Sequence, residues 1–380
     1  MPAYARKEIV REGEVGMYHC VARCVRRAFL CGEDAVSGKN FEHRRGWIQE
    51  RLELLAANFA CDVCGFAAMQ NHLHVVLRTR PDVAQTWSDE EVALRWWRIF
   101  PKRRNEDGTP AEPEEHELRS LVADPQMAAE RRSRLASVSW FMRCLCENIA
   151  RRANKEDQCT GRFWEGRFKC QALLDESAVL ACSIYVDLNP IRAGVCATPE
   201  QSEFTSAYER IHARQARRGR GRRANPRRGV RGQARGSRRK RRDPQGDAWL
   251  CPISADEAPP DQKRKAGRKK KARPSLQPAG TPPRRASWHG FLSMNLDDYL
   301  RLLDWTGRQV RGGKRGSIPK DLAPLLDRLG VDAEMWVSSV ENFGRWFHRA
   351  AGRVEHLMQA ARAAGRRWFQ GLAHSRAAFG

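Results

Sequence analysis

Long apolar runs are missing from this 380-residue chain. No stretch of about 18 consecutive apolar residues occurs, so no segment has the length and apolarity of a membrane-spanning helix. Residues 1–14 mix charges and lack the apolar centre of a secretory signal. The expectation is a soluble, intracellular protein of the cytoplasm. Acidic residues are in short supply: 45 Asp and Glu face 69 Lys and Arg, giving a formal net charge of +24. A surplus of that size calls for a polyanion, and nucleic acid is the usual one. Tyrosine is scarce, with five in total (Tyr4, Tyr18, Tyr185, Tyr208 and Tyr299), so chemistry at a phenol has few candidates. There is no internal repeat.

Cysteine is present in number. The twelve cysteines look like a disulfide set, but several lie inside apolar helical or strand runs and read as reduced, buried thiols. Cys61-Asp-Val-Cys64 has the spacing of a zinc knuckle, yet no second pair matches it. On a strand, residues three apart point to opposite faces, whereas a structural zinc needs four converging ligands. Zinc is therefore set aside.

Composition divides the chain into three. Residues 1–210 carry period-2 and period-3.6 apolar patterns and can form a packed domain. Residues 211–287 are rich in Arg, Gly and Pro; from Arg214 to Arg242 there are fifteen Lys or Arg and no acid. Such a segment buries too little apolar surface to offset chain entropy, and a disordered basic linker is expected. In residues 288–380 apolar periodicity returns as a series of helices, which predicts a small helical C-terminal domain.

Within the first region the pattern predicts strands over 17–24, 61–69, 72–78 and 167–174, with a hairpin around Gln70 and Asn71. Helices are expected over 41–60, 88–100, 135–153 and 177–188, the last capped by Asp175 or Ser177 and ended by Asn189-Pro190. The fold class is α+β: an antiparallel sheet with helices mainly on one face.

Two patterns carry chemistry. His72-Leu-His74 opens a β-branched apolar run, and strand geometry turns both imidazoles to one side. Two neutral imidazoles are half of a divalent metal site. Tyr185 lies four residues before Asn189 near the end of a predicted helix, so phenol and amide share a helical face. Each pattern alone has an ordinary reading, as a His-x-His pair that arises by chance or an amphipathic tyrosine at the edge of the core.

Taken together, Tyr18-His-Cys-Val-Ala-Arg23, Ala68-Met-Gln-Asn-His-Leu-His-Val-Val-Leu77, Gly161-Arg-Phe-Trp-Glu-Gly-Arg-Phe168 and Tyr185-Val-Asp-Leu-Asn-Pro-Ile-Arg-Ala-Gly194 resemble, in order, the motifs of single-tyrosine transposases of the His-hydrophobic-His superfamily. The chain looks most like the branch associated with repetitive extragenic palindromes. The resemblance covers most of residues 1–210. It implies a ferredoxin-like fold, His72 and His74 as ligands of Mg²⁺ or Mn²⁺, Asn189 in the place of a third ligand, and Tyr185 as nucleophile. It implies a single-strand endonuclease and transposase that cleaves and rejoins DNA beside hairpins through a 5′-phosphotyrosine. Arg23, Arg162, Phe163, Trp164, Arg167 and Lys169 are then candidates to contact the single-stranded hairpin DNA; individually they equally suit a solvated strand edge. A domesticated hairpin-binding protein that no longer cuts is the alternative. The assembly is open between a monomer and a homodimer that swaps the tyrosine helix. The C-terminal helices, ending in Arg366, Arg367 and Trp368, suit binding to DNA or a partner and equally a plain helical appendage.

Overall fold

The computed structural model of the protein describes residues 5–25, 30–34, 38–106, 109–223, 245–254, 284–312, 323–329 and 331–379. The chain begins with β1 (Gly16–Arg23), α1 (Arg44–Asn58), β2 (Cys61–Ala68) and β3 (His72–Thr79). Five helices follow, α2 (Pro81–Ala84), α3 (Asp89–Ile99), α4 (Glu115–Val122), α5 (Pro125–Leu135) and α6 (Val138–Glu156), leading to β4 (Lys169–Leu173). Then come α7 (Glu176–Asp187), α8 (Asn189–Arg192) and α9 (Ser206–Arg223). Beyond the basic segment lie α10 (Leu296–Gly312), α11 (Ala323–Arg328), α12 (Ala333–Trp346), β5 (Ala350–Ala351), α13 (Val354–Ala363) and α14 (Leu372–Phe379). Among the described residues no helix is long and apolar enough to cross a membrane.

The protein is a mixed α+β fold around one sheet in the order β2-β3-β1-β4-β5. Strands β1 to β4 pair antiparallel, whereas β5 lies parallel to β4. The alternation of β3 divides the core in two. Leu73, Val75 and Leu77 pack with Ile48 and Leu52 of α1 and with Phe141 and Leu145 of α6. Val76, with Cys64 and Ala67 of β2, packs under Leu180 and Ile184 of α7, and Trp336, Val340 and Phe343 of α12 belong to the same cluster. Each fully buried Leu or Phe contributes about 1.5–3 kcal/mol, so both faces weigh in the fold.

Two expectations are corrected here. The sheet is mixed rather than antiparallel, because the carbonyls of Arg349 and Ala351 accept from the amides of Ala172 on β4 and of Leu174 just past its end. A two-residue strand has no periodicity to betray it. Helices also cover both faces, not mainly one. Strand β2 reflects this: all eight of its residues, Asp62 included, are buried. Its outer edge is closed as well, since Cys251 N donates to Val63 O at 2.8 Å and Phe66 N donates to Ser206 Oγ at 3.1 Å.

The compositional boundary at residue 288 is not a boundary in packing. Asp62, fully buried on β2, accepts from Arg78 Nη2 at 2.8 Å and from Ser287 N at 2.9 Å, and Arg78 Nη1 donates to Gly290 O at 2.9 Å. Disorder from residue 211 onward is overturned for its first part, because α9 runs to Arg223. Ile211 and Ala213 are buried there, Arg217 pairs with Asp247 at 2.7 Å, and Arg214 and Arg218 both pair with Asp297. Trp249 and Leu250 are buried too. The rest of the expected linker, residues 224–244 and 255–283, lies outside the described residues.

Candidate functional site

The face of the sheet opposite Leu73 is polar at one end. In the antiparallel register Arg23 stands opposite His72, Val21 opposite His74, His19 opposite Val76, and Gln171 opposite His19. Directly opposed residues share a face, so three histidines from two strands and Gln171 from a third project together. His19, His74 and Gln171 are buried and His72 is half-buried.

Helix α7 crosses the same face and delivers Tyr185. Its start is fixed by Asp175, which accepts from Ala178 N at 3.0 Å. Its end is fixed by Asp187, a buried carboxylate that accepts from Ser206 Oγ at 2.5 Å, Ala207 N at 3.1 Å and Tyr299 Oη at 2.7 Å. Two residues before that anchor, the Tyr185 ring centroid stands 5.7 Å from His74 and 6.0 Å from His19, perpendicular to both within about 10°. His72 in turn stands 4.7 Å from His74. The structure thus brings Tyr185, His72 and His74 together.

Burial pushes all three imidazoles toward neutrality. His74 is held well below its ordinary range by burial, then by His19, His72 and Arg192. Burial lowers His72 to about 4, with Arg23 adding to it. His19 falls to about 4 through burial despite its hydrogen bond to Gln171. Neutral imidazoles are the form that binds metal.

The hydrogen-bond network assigns the tautomers. Gln171 Oε1 accepts from His19 Nδ1 at 3.4 Å, which makes His19 Nε2 the acceptor for His74 Nδ1 at 2.9 Å. The lone pair of His74 is then on Nε2, a buried atom with no partner among the described residues. His72 Nδ1 donates to Asn71 Oδ1 at 2.7 Å, which puts its lone pair on Nε2 also. An orphaned buried nitrogen beside a second imidazole suits a divalent ion, with an outer relay, Gln171 to His19 to His74, of the kind that orients metal-ligating histidines. Among the described residues no group of three or more His, Cys, Asp or Glu is arranged to hold a metal.

Other expected residues fall in different places. Asn189 is nearly buried and its Nδ2 donates to Tyr185 O at 3.0 Å; among the described residues its hydrogen bond goes to that carbonyl and to neither histidine. Arg23 is exposed at the end of β1, 3.6 Å from Glu165, and Arg162, Arg167 and Lys169 are exposed. Phe163 is buried, which removes it from the candidates for base stacking. Trp164 is half-buried, with Nε1 donating to Cys146 O at 2.8 Å.

Sequence reading missed His19, Gln171 and Arg192. His19 shares strand parity with Arg23, a signal that acquires meaning only once β1 is paired to β3. Arg192 lies four residues past Leu188, and its guanidinium sits over the Tyr185 ring at 4.8 Å.

No protein-family model matches the chain, and no curated protein does. Among solved structures, a REP-associated tyrosine transposase bound to a REP hairpin is similar at 11% identity and a TM-score of 0.33, covering 58% of this chain and 87% of that one. A likeness that distant carries no argument about function.

Proposed function

We propose that the protein is a metal-dependent single-stranded DNA endonuclease and strand transferase that cleaves beside hairpins through a 5′-phosphotyrosine at Tyr185. The observation that carries this reading is the meeting of a half-buried phenol with two neutral imidazoles, one of them holding a buried, unpartnered Nε2. A protein that only binds DNA has no use for that combination. Support also comes from the net charge of +24 and from β1-α1-β2-β3-α6-β4, the strand and helix order of ferredoxin-like domains.

In this reading His72 and His74 hold Mg²⁺ or Mn²⁺, with Asn189 as the candidate oxygen donor. The bound ion would supply Lewis-acid polarisation of the scissile phosphate. Tyr185 gives up its phenolic proton and its oxygen forms a bond to phosphorus as the bond from phosphorus to the 3′ oxygen breaks. The departing oxygen takes up a proton, so the exchange is balanced and leaves a free 3′-OH. Because the phosphodiester energy stays in the phosphotyrosine, attack by another 3′-OH rejoins strands without a nucleotide cofactor. Arg192, over the ring, is placed to neutralise phosphate charge. Arg23, Arg162, Arg167 and Lys169 supply exposed positive charge for the backbone of the strand, and Trp164 an aromatic edge.

The test is incubation with labelled single-stranded hairpins and Mn²⁺. A covalent protein-DNA adduct that is absent from Tyr185→Phe is expected. Tight hairpin binding with no adduct and no cleavage, over a panel of flanking sequences, would replace this reading with a non-cleaving hairpin binder.

A further inference from the structure

Tyr185 does not rest only on its own helix. Helix α12, more than 140 residues away in sequence, lies against α7 and contributes three contacts around the phenol. Phe343, fully buried, has its ring 5.8 Å from that of Tyr185. The carbonyl of Glu341 accepts from Arg192 Nη2 at 2.5 Å, which holds the guanidinium that lies over the phenol. Gly344 faces the hydroxyl itself: a Cβ at this position would stand 2.9 Å from Tyr185 Oη and 3.4 Å from Cζ.

Gly344 is not explained by helix grammar. It lies inside the last turn of α12, before the C-cap Phe347, and is not among the glycines with positive φ, so it is no left-handed stop signal. Glycine within a helix is less stable than alanine. Gly344 is exposed on its outer side, but toward α7 a methyl group there would stand under 3 Å from the Tyr185 hydroxyl oxygen, so the phenol would have to shift to admit it.

We infer that α12 is the seat of the proposed nucleophile and that Gly344 is a positioning residue for Tyr185. This rests on the strand-transfer reading for its consequence in catalysis, but the seating itself is independent of it. The C-terminal helices are then part of the reaction site and not an appendage. The geometry predicts that a methyl group at 344 displaces the phenol from its place beside His74, and small misplacements of a reacting group cost large factors in rate.

The seat is tested by a double-mutant cycle read as melting temperatures, using the full chain. Gly344→Ala is expected to lower the melting temperature when residue 185 is Tyr and to raise it when residue 185 is Phe, because removing the hydroxyl removes the clash and leaves the helix-propensity gain. Additive shifts would overturn the seat. The second measurement is single-turnover adduct formation on a hairpin oligonucleotide with Mn²⁺. Gly344→Ala is expected to slow it by at least about 10-fold with hairpin affinity unchanged. An unchanged or faster rate would overturn the positioning role, and a faster one would make α12 a cover over the phenol. Absence of any adduct with the wild-type protein would count against strand transfer alone, and the thermal cycle would still decide the seat.

Discussion

His19 and His74 stack with ring centroids 5.1 Å apart and planes within 9°, joined by a 2.9 Å contact from Nε2 of the first to Nδ1 of the second. That contact directs the free lone pair of His74 outward from the relay. Replacing His19 by Phe keeps a stacked ring but removes the acceptor. Losses of outer-relay partners typically weaken metal binding about 10–100-fold, and a fall of that size is expected in a Mn²⁺ titration followed by electron paramagnetic resonance. Unchanged affinity would remove His19 from the metal's surroundings.

Metal binding should also show in stability. An ion that binds the folded chain at about 100 times its Kd stabilises it by about 2.7 kcal/mol. Melts with Mn²⁺ and with EDTA should differ accordingly in the wild type, and the difference should vanish in His74→Ala, which removes the buried Nε2. An equal difference in that variant would move the ion to another part of the molecule.

Arg44 gives the fold a pH dependence. Its guanidinium is fully buried, Nε donates to Glu156 Oε2 at 2.6 Å, and Nη2 meets Asp157. Burial opposes ionisation of Glu156, but the hydrogen bond and charge of Arg44, joined by His43, outweigh it and hold the carboxyl below its ordinary 4.5. A depressed carboxyl pKa contributes stability that is present above the unfolded value and is lost as pH falls through the folded one. Denaturant unfolding should therefore show this contribution fading below about pH 4.5. In Arg44→Met that part of the slope should be absent, with a loss of about 1–3 kcal/mol at neutral pH. A parallel pH profile in the variant would contradict the assignment.

Lys169 and Arg162 are exposed and should act on phosphates rather than bases. Each change to Ala is expected to weaken binding alike on unrelated hairpins and to flatten the plot of log affinity against log salt by about 0.7. Loss confined to one hairpin sequence would instead make the residue a reader of bases.

Trp164 should behave differently from those cations. With its indole N–H donated to the Cys146 carbonyl and its ring against the core, Trp164→Ala should lower stability by about 2 kcal/mol or more. A stable variant with lost DNA affinity would make contact with the strand, and not packing, the main role of its ring.

Local pattern determined much of this protein. The alternation in His72 to Leu77 fixes which side chains share a face, and the hairpin at Gln70 and Asn71 and the α7 cap at Asp175 follow from short-range chemistry that any few consecutive residues contain. The motif set likewise singled out His72, His74 and Tyr185, and their proximity is a matter of the fold. What only tertiary structure decided is everything set by register and long-range packing. His19 and Gln171 join the histidines because β1 lies between β3 and β4, and nothing within β1 or β4 encodes that neighbour. Helix α12 meets Tyr185, β5 extends β4, and Asp62 gathers Ser287, through contacts between residues more than 140 positions apart. Such contacts depend on two surfaces fitting each other, and a one-dimensional pattern records each surface but not its partner.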